Sequence, residues 1–301
     1  MKHVRSSAAF SSDIRLGKGA LGLALAILAV SGGFLFSRPA QEAQDPVLTA
    51  LLGKLSAYAA RLEGSVLDFV CREEIAERID PALDVRAASP LVPDAFRDRI
   101  YGKLISAKNH YVYDYQCVRG KNGLVRETRT LLDDNGKKTN VPDAKLKTEV
   151  FVFGMPLLGP VGIFAERFRP FYDYKITGRE KVDGKPALII EATPTAERPG
   201  ATNLYGKAWV GAEDGEILKI EWSESRVGRR EIFEERAEKY QMQPRITLRS
   251  EFSAEKNGIR FPSMLWMEEA YLNTRGRAFI RSTTTVAYKD FKFFTVEVDV
   301  R

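Results

Sequence analysis

From residue 46 to residue 62 the apolar side chains recur at helical spacing. Leu48, Leu51, Leu52, Leu55, Tyr58, Ala59 and Leu62 form one stripe, and Lys54 and Arg61 fall outside it. The pattern predicts a helix with one face to bury. Asp45 stands where an N-cap is needed, and Pro46 occupies the first helical position, where a missing N–H costs nothing. After Gly64 the period falls to two, apart from irregular stretches, and stays there almost to the end of the chain. Tyr111, Tyr113, Tyr115 and Cys117 share one face of a strand, and Asn122-Gly123 is a hairpin turn into a strand over 124–132. Asp134-Asn135-Gly136 marks the next turn. Further strands are predicted over 69–75, 171–178, 187–192, 204–210, 217–222, 246–252, 264–272, 278–288 and 293–300. Turns at Asp183-Gly184, Asp214-Gly215 and Asn257-Gly258 separate some of them, and turn chemistry accounts for these acids without a catalytic role.

One helix beside about nine to eleven strands leaves too few helices for the crossovers of a parallel sheet. The expected fold is mainly β (α+β), a large curved antiparallel sheet around the N-terminal helix. Residues 80–100, with Pro81, Pro90 and Pro93, read as an irregular insertion, and the mixed charges of 226–239 as a solvated face or a partly helical connection.

The first 44 residues read differently. Lys2, Arg5, Arg15 and Lys18 precede an uncharged apolar run over 19–36, which is the pattern of an export signal. As a helix this run would extend ~27 Å, marginally enough to span a bilayer. Ala29-Val30-Ser31 fits cleavage, whereas the long basic region and the apolar continuation to Phe36 fit a retained anchor, so 1–44 is a signal peptide or a signal anchor. Residues 45–301 then form a single domain in the periplasm or on the outer surface, tied to the inner membrane only if the segment is uncleaved. The next cysteine is Cys71, too far on for amino-terminal lipid attachment. Gly17-Lys18-Gly19-Ala20-Leu21-Gly22 spells a dinucleotide fingerprint, but without a preceding strand it is accidental.

Composition narrows the function. The 301 residues carry 46 bases against 40 acids, and half of the resulting +6 lies in the first 31 residues. Little remains to attract phosphate, which excludes nucleic acid as a partner. Only His3 and His110 are present, and no G-x-S-x-G element, so His-rich metal sites lack ligands and a serine triad lacks its presenting turn. His110 reads as structural. No catalytic residue, metal or cofactor is predicted.

Leu204-Tyr205-Gly206-Lys207-Ala208-Trp209-Val210 and the following Glu213-Asp214-Gly215-Glu216-Ile217-Leu218-Lys219-Ile220-Glu221-Trp222 resemble the central hairpin of the bacterial lipoprotein-carrier (LolA/LolB-like) superfamily. Asn257-Gly258-Ile259-Arg260-Phe261-Pro262-Ser263 resembles a later element of the same outer-membrane lipoprotein-sorting type. The resemblance implies an incomplete antiparallel β-barrel that wraps a helix and encloses an apolar cavity, used by carriers to hold lipoprotein acyl chains. No arginine of this chain matches the carriers' functional one.

Two stretches are candidates for such a cavity. Over 264–272 both faces carry apolar groups, Met264, Trp266 and Ala270 on one and Leu265, Met267 and Tyr271 on the other. Either the helix and a loop cover the two faces, or one face lines a ligand cavity. Tyr205, Lys207 and Trp209 share a strand face that lines the cavity or meets solvent. Over 151–172, Met155, Leu157, Leu158, Val161, Ile163, Phe164 and Phe168 are interrupted by Gly154, Pro156, Gly159, Pro160 and Gly162. This is a core-covering loop with one short helix, or an apolar lid. The expected ligand-binding residues are Met155, Leu157, Leu158, Phe164, Trp209 and Trp266. The expected function is non-enzymatic binding of a lipid or lipoprotein acyl chain outside the cytoplasm. The rival is an interaction or sensor module whose interior its own side chains fill. Cys71 and Cys117, the only cysteines, are expected to form a disulfide in an oxidising compartment, the alternative being two buried thiols.

Overall fold

A computed structural model describes residues 45–301 except 68, 89–105, 120, 122–123, 196–204, 224–229 and 295–301. Helix α1 (Pro46–Ser65) starts as the sequence dictates, with the Asp45 carboxylate accepting the Val47 N–H at 2.9 Å and the whole predicted stripe buried. Thirteen strands follow: β1 (Phe69–Ile79), β2 (Ala107–Arg119), β3 (Val125–Asp134), β4 (Lys137–Val141), β5 (Tyr172–Val182), β6 (Lys185–Pro194), β7 (Gly206–Gly211), β8 (Ile217–Trp222), β9 (Gln243–Glu251), β10 (Ala254–Lys256), β11 (Ile259–Phe261), β12 (Met264–Leu272) and β13 (Ala278–Phe293). Among the described residues three short helices interrupt them, α2 (Ala82–Ala88), α3 (Gly159–Phe164) and α4 (Arg230–Tyr240).

Eleven strands make one antiparallel sheet in the order β4-β3-β2-β1-β13-β12-β9-β8-β7-β6-β5, and β10 and β11 form a separate hairpin. The sheet is not closed. The first and last strands pair in its interior, and the edges β4 and β5 are neighbours in sequence, linked by one crossover over 142–171. The inward side chains of the sheet, the stripe of α1 and the apolar residues of that crossover belong to one core cluster.

Several expectations need correction. The supposed irregular insertion contains α2, started by Asp80, whose carboxylate accepts the Ala82 N–H at 2.9 Å. Of the two readings of the mixed charges before Tyr240, the partly helical connection holds and the solvated face does not: they form α4, which buries Phe233, Ala237 and Tyr240 one turn apart. Strand β4 follows the Asn135-Gly136 turn, whose φ values of 54° and 85° are those of a primed hairpin. Phe293 ends β13 rather than opening a further strand; 295–300, Asn122-Gly123 and Leu204 lie outside the described residues. The expected disulfide is absent, and Cys71 and Cys117 are free, buried thiols. Register explains this: Cys71 stands opposite Tyr115, which leaves Cys117 on the diagonal. Diagonal neighbours lie about 7–8 Å apart, beyond the reach of about 7 Å that a disulfide bridges.

Candidate functional site

The crossover from β4 to β5 contains two 3-10 turns, Pro156–Leu158 and Glu166–Phe171, on either side of α3. Its prolines explain the brevity of these pieces: Pro156 and Pro160 fit first turns and cannot continue a longer ladder. Leu157, Val161, Ile163 and Phe164 are buried against the core. Gly159 lies on the Trp222 ring, where a Cβ would stand 2.8 Å from Cζ2, so only glycine permits this approach. Trp222 is itself held by an Nε1–H bond to Ser250 Oγ at 2.8 Å. The Ser56 hydroxyl of α1 donates to the Phe164 carbonyl at 2.9 Å, and the Tyr174 hydroxyl donates to that of Ile163. Arg167 grips Glu63 of α1 with two bonds, at 2.6 and 2.8 Å.

Beside these contacts a groove of about 340 Å³ runs between α1 and β5, lined by Leu52, Glu166, Arg169, Pro170, Tyr172 and Tyr174. The Phe164 ring stacks on Tyr174 at 6.2 Å, so Phe164 forms the layer behind the groove wall. Burial pushes the Tyr174 hydroxyl well above the usual tyrosine range, and it remains a neutral donor.

The six sequence-predicted ligand residues are not brought together. Leu157 and Phe164 are fully buried in the main core, and Leu158 packs on it. Met155 is exposed, in a left-handed conformation with φ 47°, and its N–H binds Glu127 Oε2 at 2.7 Å. Trp209 lies on the outer face with Ala187 and Leu218, its Nε1–H on Glu180 at 2.5 Å and the Lys219 ammonium 3.6 Å from its ring centroid. Trp266 alternates with the core residues Leu265 and Met267, and the Arg249 guanidinium lies 5.3 Å from its ring centroid. The lining residues Leu52 and Tyr174 and the supporting Trp222 went unrecognised in the sequence. The one signal for Trp222 was a glycine opening an otherwise apolar helix.

The rest of the interior is occupied by large side chains, Tyr113, Tyr115, Tyr271, Phe69 and Phe252 among them, and by two ionic clusters. In the first, Arg129 binds Glu73 at 2.6 and 3.1 Å and Glu127 at 2.8 Å, while the Tyr288 hydroxyl donates to Glu73 at 3.0 Å. Burial raises the pKa values of Tyr115, Tyr288 and the Cys71 thiol, so these groups stay protonated. Tyr113, on the same strand, is pushed up to about 12 by burial. In the second, the buried Glu269 accepts from Arg236 at 2.8 Å, Arg281 at 3.2 Å, Ser282 at 2.8 Å and Tyr271 at 2.6 Å. Arg281 also reaches Asp84 of α2 at 3.0 Å and Glu149 at 2.8 Å. Both clusters pair acids with arginines, an arrangement that fixes elements in place. Among the described residues no group of three potential ligands gathers for a metal ion.

No protein-family model and no curated protein matches the sequence. Solved structures do resemble the chain. A DUF1329 family protein from Desulfovibrio piger is similar over 85% of this chain and 96% of its own, with 14% identity and a TM-score of 0.40. A LolA superfamily protein from Nitrosomonas europaea is similar over 83% and 94%, with 12% identity and a TM-score of 0.34. A putative outer membrane lipoprotein-sorting protein domain from Vibrio parahaemolyticus is similar over 84% and 95%, with 10% identity and a TM-score of 0.38. Superposition is loose at these scores, and the architecture stands on the strand order of the chain itself.

Proposed function

We propose that this chain is a non-catalytic, extracytoplasmic carrier-like protein that takes an apolar ligand, such as a lipid or a lipoprotein acyl chain, beneath the 151–172 segment. One observation carries the reading. The apolar segment links the two unpaired edges and contributes Leu157, Val161, Ile163 and Phe164 to the core without joining the sheet as a strand. A cover fixed by side chains lifts at lower cost than a strand, whose ladder bonds all break together. Lifting it exposes the apolar faces of α1 and Trp222 to a ligand, continuous with the groove at Tyr174. The basic and apolar 1–44 segment supports export, by cleavage or as an anchor.

Mass spectrometry of lipids extracted from the purified protein, with uptake of a fluorescent fatty acid, tests the reading. Replacing Leu157→Ser and Leu158→Ser together weakens uptake and leaves the fold intact if the segment is a cover. Unfolding of the double variant makes these leucines permanent core and ends the cover reading. The filling of the interior by tyrosines and ion pairs favours a second reading, an interaction module with no ligand cavity. Absence of extracted lipid together with absence of uptake supports that one.

A further inference from the structure

The crossover is fastened at Glu149 by main chain and side chain at once. The Glu149 N–H donates to Glu77 Oε1 at 2.9 Å, and its carboxylate accepts from Arg281 of β13 at 2.8 Å and from Arg236 of α4. Glu77 is buried, and its other oxygen accepts from Asn109 at 2.9 Å. The charged groups around this point are Asp84 of α2, Glu269 of β12, Arg281, Arg236 and, at the rim, Lys239 at 3.5 Å from Asp84. The other ties of the crossover join it to the sheet or to α1. Glu149 joins it to α4 as well.

Helix α4 is an economical element to move. It touches the main core through Phe233 and otherwise rests on a small cluster of Leu83, Ala237, Tyr240 and Tyr271. No strand ladder holds it, so its displacement breaks fewer bonds than moving any neighbour in the sheet.

We infer that Glu149 is a latch holding the crossover closed, and that α4 releases it by withdrawing Arg236. The carrier reading above says what an opened crossover admits; the latch itself concerns only the opening.

Removing the Glu149 charge leaves both arginines paired. Arg236 keeps Glu269 at 2.8 Å, and Arg281 keeps Glu269 at 3.2 Å and Asp84 at 3.0 Å. The N–H bond to Glu77 also survives, since it belongs to the backbone. Glu149→Gln is therefore a release of the latch that spares the fold.

Amide hydrogen exchange of the full chain, followed by mass spectrometry, reads the opening directly. Peptides from 156–171 report the crossover and those from 246–252 the core. Arg236→Met, which removes one charge-assisted hydrogen bond, is expected to speed exchange over 156–171 by about tenfold, and Glu149→Gln, which weakens the two that the carboxylate accepts, by at least as much, with 246–252 unchanged. Their combination is expected to be no faster than the faster single variant, because both break one connection. Arg245→Gln, which breaks the outlying pair with Glu268 at 3.0 Å, is the control and is expected to change neither region. Unchanged exchange over 156–171 in Glu149→Gln overturns the latch. So does faster exchange in both regions, or full additivity of the two variants. Faster opening without any gain in fatty-acid uptake keeps the latch and counts against the carrier reading. Uptake by the unaltered protein, with no effect of Glu149→Gln on exchange, does the reverse.

Discussion

Gly159→Ala tests whether the crossover truly rests on the sheet. The added methyl would meet Trp222 Cζ2 at 2.8 Å and Cη2 at 3.0 Å, distances that real Cβ atoms essentially never show. The ring cannot swing away freely, because its Nε1–H is fixed on Ser250 and it is 6% exposed. Overpacking of this kind costs about 1–3 kcal/mol. The helical backbone of Gly159, with φ −45°, suits alanine, and the change returns about 0.5–1 kcal/mol of backbone entropy. The central values, about 2 kcal/mol against about 0.75, leave a net destabilisation of about 1 kcal/mol, or roughly 2–4 °C in melting temperature for a domain of this size. Urea denaturation with Trp fluorescence measures it, and Trp222→Phe completes a double-mutant cycle. In that background the smaller ring leaves room, so the cost of Gly159→Ala should fall by at least ~1 kcal/mol. A Gly159→Ala variant as stable as the parent, with no coupling to Trp222, refutes the contact and with it the seating of the crossover.

Three further outcomes follow from the buried groups. Arg129→Met leaves the fully buried Glu73 with Tyr288 as its remaining donor in the cluster, and should cost about 3–5 kcal/mol in urea unfolding; a loss under about 1 kcal/mol contradicts the pairing. Burial opposes ionisation of Asp84, but the Tyr240 hydroxyl and Arg281 outweigh it and hold its pKa below the ordinary carboxylate value. Its ionised form therefore stabilises the protein above about pH 4. That contribution is lost as pH falls through the depressed folded value, so the melting-temperature gap between the parent and Asp84→Asn should close in acid. Denatured, unreduced protein should label at two thiols, while the native protein labels slowly at pH 8 because burial raises both cysteine pKa values; no labelled thiol in the denatured chain means a disulfide.

Periodicity carried the local structure well. The stripe of α1, the Asp45 cap and the limits of β8 and β12 are written in nearest-neighbour chemistry, and the structure repeats them. The site was less legible because its contacts are long-range. Trp209 and Trp266 looked like cavity residues, yet parity within a strand does not say which face is inner, and both point outward onto cations. The arginine clusters gave no sequence signal at all: Asp84, Glu149, Arg236, Glu269 and Arg281 are scattered over five parts of the chain and meet only through the fold. Both cysteines are buried, but a register offset of two residues decided against the bond.

The pairing of the first strand with the last bears on how the chain folds during synthesis. Glu73 and Tyr288 stand opposite each other although 215 residues separate them, whereas the other joins in the sheet follow a meander between strands close in sequence. Closing so long a loop costs about 5 kcal/mol of chain entropy, and nothing offsets it until β13 has been made. The β1–β4 and β5–β12 meanders can thus assemble early as two independent halves, each open at both edges, and β13 zips them together at the end by pairing with β1 and β12. Folding speed should accordingly be limited by this last closure, and a circular permutant that joins the end of β13 to α1 and is cut within 142–171 should fold faster, because only α1 would then separate β13 from β1 in sequence.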